Sequence, residues 1–293
     1  MTDKRPLVSI CMPTYNGQDY LEEALNSALS QTYENIEIII SDDASNDNTL
    51  KIAEALLANQ HIPSTILKHQ PNGIGANWNN CIEHAKGAYI KFLFQDDILE
   101  ENCISLMMKS MLQDDTIGLV YSKRNFIIDT PNEKTIAFKE YYGPLHTYWE
   151  DFKVKEGVEE GTMYLSDKQF LNSPKNKIGE PTSVLIKKAC FDKVGYFSES
   201  LHQVLDCEFW YRLMPYYKIA FVDEYLAKFR VHDQQASAKN KEKKVKEEAQ
   251  LYRSYYKNLL KYLHPKNKRK LLKQFHPLFK FGVTLKRKFD GRQ

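Results

Sequence analysis

Four short apolar runs, each ending in a polar cluster and three of them followed by a helical pattern, govern what this chain can fold into. Residues 8–12 (VSICM) stop at Pro13, and from Asp19 onward Leu21, Ala24, Leu25, Ala28 and Leu29 fall on one helical face. Residues 36–40 (IEIII) stop at the polar stretch 41–49, after which Ile52, Ala55 and Leu56 mark a second helix over 49–58. Residues 65–69 read as a third strand closed by the turn Pro71-Asn72-Gly73, and 77–85 as a helix ended by Gly87. Residues 88–94 (AYIKFLF) form the fourth run and end in Gln95-Asp96-Asp97. Strands alternating with helices predict parallel pairing and an α/β sheet covered on both faces. Ligands of such sheets bind beyond the carboxyl ends of the strands, where the clusters 13–16, 42–47 and 95–97 stand.

Further strands are expected at 117–121, 182–186 and 219–222, and a helix at 206–214; residues 130–178 are aromatic and polar with no clear period. From Lys239 onward 18 Lys/Arg face 4 Asp/Glu, whereas residues 1–238 hold 23 against 34. This asymmetry divides the chain into an acidic body, 1–238, and a basic tail, 239–293, of two helices separated near His264-Pro265. With 42% apolar and 27% charged residues in 293, the chain is globular and large enough to bury a core unaided. No apolar run approaches the roughly 20 residues of a membrane span, and the first ten residues leave no room for the apolar core of a secretion signal. The expectation is a cytoplasmic protein, peripheral at most at the inner face of a membrane. Five scattered cysteines without a C-x-x-C pair argue for buried thiols rather than disulfides or zinc.

Three acidic clusters stand out: Asp42/Asp43, Asp96/Asp97 and Asp206/Glu208. A carboxylate pair after a buried strand suits a hard cation such as Mg²⁺ or Mn²⁺, which takes oxygen ligands and keeps positions open for phosphate. The same residues also cap helices and line solvated turns.

Residues 8–16 (VSICMPTYN), Ser30-Gln31-Thr32-Tyr33, 41–49 (SDDASNDNT) and 87–97 (GAYIKFLFQDD) resemble, in order and spacing, the motifs of family 2 glycosyltransferases. The likeness spans about residues 7–232. It implies a GT-A-type, Rossmann-like and mostly parallel sheet flanked by helices, with the basic helices as an extension. It further implies an inverting, metal-dependent enzyme that moves a sugar from a UDP-sugar to a hydroxyl of a glycan or lipid-linked acceptor, as in surface polysaccharide biosynthesis.

Carried onto this sequence, the family pattern puts Pro13, Thr14 and Tyr15 at the nucleotide, Asp43 on the base with Asp42 beside it, and Asn77 as a further polar contact. Asp96 would reach the ribose and the metal, Asp97 would ligate Mn²⁺ or Mg²⁺, and His232 would complete that site. Asp206, in LDCEFWYR, falls at the place of the general base. A hydroxyl is a weak nucleophile, so a positioned carboxylate takes its proton during attack, and a cation offsets charge growing on the departing diphosphate. Phe94 and Leu205 stand where many relatives carry acids. They motivate the alternative of a non-catalytic nucleotide-sugar-binding module. A second alternative is a docking protein acting through its tail, for which an anionic membrane surface is the candidate partner; the same tail can instead pack on the body or in a dimer. No nucleic-acid-binding module is recognisable. Glu180 can face the acceptor; Trp78, Trp149 and Trp210 can stack on sugars or fill the core; Asn72-Gly73-Ile74-Gly75 is a weak phosphate-loop pattern.

Overall fold

The computed structural model describes residues 5–232, 235 and 246–279. Its nine-stranded sheet runs β3-β2-β1-β4-β8-β6-β9-β5, with β7 added on β9. The first four strands, β1 (Val8–Thr14), β2 (Ile36–Asp42), β3 (Ser64–Lys68) and β4 (Tyr89–Phe92), are parallel, as their alternation with α1 (Leu21–Leu29), α2 (Thr49–Leu57) and α3 (Ile74–His84) predicts. Beyond β4 the pairing is mixed. β8 (Val184–Lys187) lies antiparallel between β4 and β6 (Ile117–Ile128), while β6 runs parallel to β9 (Lys218–Val231). β5 (Ile98–Leu99) and β7 (Gly157–Glu160) both pair antiparallel with β9.

Side chains alternate across the pleat. Ile10 and Met12 enter one apolar layer with Leu21, Leu25 and α4 (Cys103–Met111), and Cys11 enters the other with Trp78 and Ile82. β6 and β9 outrun their apolar cores, expected at 117–121 and 219–222, and remain paired as far as Ile128 and Val231. Register shifts at Ser122 and Lys123 bend these arms. The long β9 thereby delivers Arg230 and His232 to the end of β4.

The segment without sequence period contains α5 (Glu133–Tyr142) and α6 (Gly161–Ser166). α5 buries no residue; the Asn132 side chain caps its first turn, and Phe138 packs on Phe126 and Phe229 at ring distances of 6.0 and 6.3 Å. α7 (Ala189–Val194) and α8 (Leu205–Leu213) complete the second layer.

The boundary expected at residue 238 is not where packing ends. α9 (Glu248–Asn258) and α10 (Pro265–Phe275) are the two helices expected on either side of His264-Pro265. Leu251, Tyr252, Tyr255, Leu259 and Leu271 from this stretch share the core of α8. Burying one such side chain contributes roughly 1.5–3 kcal/mol, so this stripe makes the helices part of the body. Past α10 apolar side chains emerge, with Leu278 76% and Phe279 45% exposed. Phe281, Leu285 and the charges of 280–293 lie outside the described residues. Among the described residues no helix is long and apolar enough to cross a membrane. All five cysteines are free and buried, as the spacing predicts.

Candidate active site at the carboxyl ends of the strands

The turns after β1 and β2 are sewn together by side-chain bonds. Asn16 and Ala44 take positive φ, a cost the bracing offsets. The Asn16 amide donates to Ser45 Oγ (2.8 Å), Asn46 N–H donates to Asn16 Oδ1 (2.9 Å), and Gly17 N–H donates to Thr49 Oγ1 (2.8 Å). Asp42 is fully buried within this seam and accepts from Thr14 Oγ1 at 2.9 Å, Ser45 N–H at 2.8 Å and Ser45 Oγ at 2.6 Å. Its carboxylate fixes the turns. Asp43 is partly exposed: its N–H donates to the Thr14 carbonyl, and its Oδ1 lies 2.8 Å from His69 Nδ1. Pro13 is buried, whereas Tyr15 is 52% exposed. Asn77 reaches the Thr14 carbonyl with Nδ2 at 3.4 Å, and its buried Oδ1 has no partner among the described residues.

Gln95 clasps the backbone of Tyr15 from the end of β4, accepting from its N–H at 2.8 Å and donating to its carbonyl at 3.1 Å. Gly17 leaves room for this clasp, because a Cβ there would meet the Gln95 amide and displace it.

The adjacent acids Asp96 and Asp97 take opposite directions. A tight turn, Asp97 N–H to Phe94 carbonyl, sends Asp97 inward, where it is 1% exposed. Its two oxygens accept from Thr182 Oγ1 (2.6 Å) and the Arg230 N–H (3.1 Å), tying β4 to β8 and β9. Burial, aided by the charge of Asp96, pushes its carboxyl well above the ordinary range. Asp97, expected as the metal ligand, thus has both oxygens engaged inside the fold. Asp96 stays partly exposed with Oδ2 3.0 Å from His232 Nε2. The imidazole packs on Tyr20 at 4.9 Å, and its Nδ1 is buried without a hydrogen-bond partner among the described residues. The Asp96 carboxylate and the His232 Nε2 that faces it are the groups that would hold a Mg²⁺ or Mn²⁺ here, with further oxygen ligands to come from diphosphate and water. Arg230 secures this corner by bonding the Asp96 carbonyl, pairing with Asp129 and Glu23, and lying over Tyr20.

Asp206 stands in the first turn of α8. Its Oδ1 accepts from the Cys207 N–H (2.6 Å) and its Oδ2 from Asn176 Nδ2 (2.8 Å). Burial first, and then the charge of Glu180, raise its pKa to about 7 against the pull of those donors. Glu180 itself is paired with Arg124, whose guanidinium also bonds the Tyr142 carbonyl at 3.0 Å. Since Glu180 bears on both Asp97 and Asp206, and Thr182 holds Asp97, the two acidic centres converge on the segment 176–182. Glu208, grouped with Asp206 by sequence, is instead buried against Arg212 (2.9 Å) and Ser254 Oγ (2.6 Å). Trp78, Trp149 and Trp210 all lie in the core.

The family described as Glycosyl transferase family 2 matches residues 9–193, more than half of the chain. The chain belongs to glycosyltransferase family 2. The matched stretch takes in the β1 and β2 turns, Asp96/Asp97 and Glu180, and stops short of Asp206 and His232. An uncharacterized glycosyltransferase of Rickettsia typhi is 31% identical over 232 residues, 79% of this chain and 66% of that one; the chain thus spans just under two thirds of this relative. The chondroitin synthase of Pasteurella multocida is 40% identical over 118 residues, 40% of this chain and 12% of that enzyme. Among solved structures, Staphylococcus aureus TarS 1–349 in complex with UDP-GlcNAc superposes with a TM-score of 0.65 at 18% identity, covering 92% of this chain and 71% of that one. The family 2 chain therefore has the expected GT-A fold.

Gln95 as a clasp, His69, Arg124 and Asn176 were not singled out by sequence. Only Gln95 lay within a recognisable motif; the others act through contacts that cross the fold.

Proposed function

We propose that this family 2 chain transfers a sugar from a UDP-sugar to a hydroxyl of a glycan or lipid-linked acceptor, in a single displacement that inverts the anomeric centre. The observation that carries the reading is the convergence of two acidic centres on residues 176–182, the Asp96-Asp97 turn through Asp97 on Thr182 and Asp206 through Asn176. One holds Asp96, partly exposed beside His232; the other is Asp206, also partly exposed, with its carboxyl pushed up to about 7.

In this mechanism Tyr15 and the turns after β1 and β2 hold the nucleotide, and Asp43, with Oδ1 occupied by His69, offers its other oxygen to a base N–H. Asp96 and His232 would hold Mg²⁺ or Mn²⁺, which when bound neutralises the diphosphate as it leaves. Asp206 accepts the proton of the acceptor hydroxyl as that oxygen attacks the anomeric carbon; a pKa near the working pH suits a group that must start ionised and end protonated. Asp97, its oxygens held by Thr182 and Arg230, aligns β8 and β9 behind the centre. A role in polysaccharide assembly is supported by the likeness to chondroitin synthase. The exposed Leu278 and Phe279, next to the Lys266, Lys268, Arg269, Lys270 and Lys273 charges of α10, support an anionic membrane as the surface at which the chain works.

Calorimetry of UDP binding with and without Mn²⁺ tests the reading. The wild-type chain should bind UDP more tightly with Mn²⁺, and Asp96→Ala should abolish the metal-dependent part while leaving a weak metal-independent affinity. Equal UDP binding by Asp96→Ala and wild type in Mn²⁺ would overturn the proposed metal site; no UDP binding by wild type in either condition would overturn the UDP assignment.

A further inference from the structure

We propose that Asn176 is a positioning residue for Asp206: its side-chain amide orients the carboxylate and holds it in the ionised, proton-accepting form. This deepens the proposed reaction and rests on Asp206 being its base.

The orientation of the Asn176 amide is forced by its surroundings. Its Oδ1 accepts from two backbone groups, Ile178 N–H at 3.0 Å and Gly179 N–H at 2.9 Å, closing a turn of the kind asparagine favours. The NH₂ must then face acceptors, and it finds the Gly179 carbonyl at 2.8 Å and Asp206 Oδ2 at 2.8 Å. The turn is itself immobilised. Lys177 is fully buried, with its N–H on Tyr211 Oη (3.0 Å) and Nζ on the carbonyls of Asn172 and Pro174, both at 2.8 Å. Trp210 Nε1 bonds the Gly179 carbonyl at 3.0 Å. Asn176 is therefore a rigid donor fixed to α8 from both sides.

A donor to a carboxylate favours its charged form, whereas burial and like charge favour the neutral one. The titratable groups around Asp206 are Glu180 from the segment before β8, Cys207 and Tyr211 on α8, and Tyr255 of α9, which bonds Cys207. Glu180, paired with Arg124, opposes ionisation, and Cys207 and Tyr211 respond to the same negative charge. Besides the backbone N–H groups of Cys207 and of Asp206 itself, the Asn176 side chain is the donor that offsets them. Without it, Asp206 would hold its proton to higher pH and be unable to accept another.

The test is a ¹³Cγ-aspartate NMR titration of the full chain, in which the Asp206 signal is the one absent from Asp206→Asn. In the wild type its midpoint should fall at about 7. In Asn176→Ser, which keeps an oxygen for the turn but is too short to reach Asp206, the midpoint should rise by about one to two units. The acid limb of turnover should move with it, and UDP affinity should stay as in wild type. A merely structural role would lower the melting temperature and leave the midpoint in place, and that result overturns the proposal. Should Asn176→Ser not fold, Asn176→Asp retains the turn acceptor; its coupled pair should show an upper step above the wild-type midpoint, and two steps at or below that midpoint overturn the proposal equally. If turnover survives in Asp206→Asn, it is the role given to Asp206 in the reaction that fails, while the midpoint comparison still decides whether Asn176 sets its charge.

Discussion

The two sides of the candidate site are built by different means. On the nucleotide side, β1, β2 and β4 are parallel neighbours, and each polar group is braced by a turn one strand away: Asp42 by Thr14 and Ser45, Tyr15 by Gln95. On the acceptor side the groups come from the long arms of β6 and β9, the segment 176–182 and α8. There Arg124 meets Glu180 across 56 residues and Arg230 meets Asp97 across 133. The first kind of site is a property of strand ends, so its parts stand or fall together. The second is assembled from distant pieces, so single contacts can be cut with separate consequences. That contrast predicts which measurement each substitution moves.

The largest effect belongs to the acceptor side. Asp206→Asn should lower turnover of a UDP-sugar by about 10²- to 10⁴-fold, the range for removing a positioned acid–base group, with UDP binding unchanged. An equal loss of UDP affinity would erase the division between the two sides. The same variant has a stability signature of defined sign. The folded carboxyl titrates near 7 and the unfolded one near its ordinary 3.8. Between those pH values the unfolded chain has lost a proton that the folded chain keeps, so wild-type stability falls as pH rises across the window. Asp206→Asn removes that fall, and thermal unfolding should show it about 1–3 kcal/mol more stable than wild type at pH 8 and no more stable at pH 4.

A smaller effect should separate the sides from the other direction. Gln95→Ala removes both bonds to the Tyr15 backbone, and at about 0.5–1.5 kcal/mol each the loss in UDP affinity should be about tenfold. Because the clasp acts on the nucleotide turn and not on Asp96 or His232, calorimetry should give the same fold-loss with and without Mn²⁺. A loss confined to the Mn²⁺ condition would assign Gln95 to the metal corner instead.

The nucleotide side was legible in the sequence for the reason that makes it cohesive. Apolar runs of strand length, each ended by Pro, Asp or Gln and mostly followed by a helical stripe, put β1 to β4 and the turns after them within a few residues of where they lie. The arms of β6 and β9 were legible only over their apolar cores, because Lys123, Arg124, Asp223 and Glu224 give no strand period. Asp96 and Asp97 are the same residue type in adjacent places, and only the turn onto Phe94 decides which one is buried. Asn176 and Lys177 sit in a segment whose conformation comes from carbonyls, a tyrosine hydroxyl and a helix elsewhere in the chain, and no local pattern records such partners. α9 and α10 were legible as helices, but their place was not. Their Lys and Arg dominate the composition, while the few residues that decide their position, Leu251, Tyr252, Tyr255, Leu259 and Leu271, dock them on the body.

That docking supplies the smallest and most selective test. Ser254 of α9 donates to Glu208 Oε1 at 2.6 Å, and Glu208 is also held by Arg212 on α8. Ser254→Ala leaves the buried Glu208 paired with Arg212 and removes the hydrogen bond to that charged acceptor together with an exposed one from Asn258 Nδ2, so it should lower stability by only about 1–2 kcal/mol. If α9 belongs to the acceptor side, this loss should appear as a lower midpoint of a single cooperative denaturant transition with unchanged slope, and UDP affinity should not move. A transition that splits in two would mean that the helices fold as a unit of their own. An unaltered midpoint would mean that the apolar stripe alone holds them, with Glu208 answering only to Arg212.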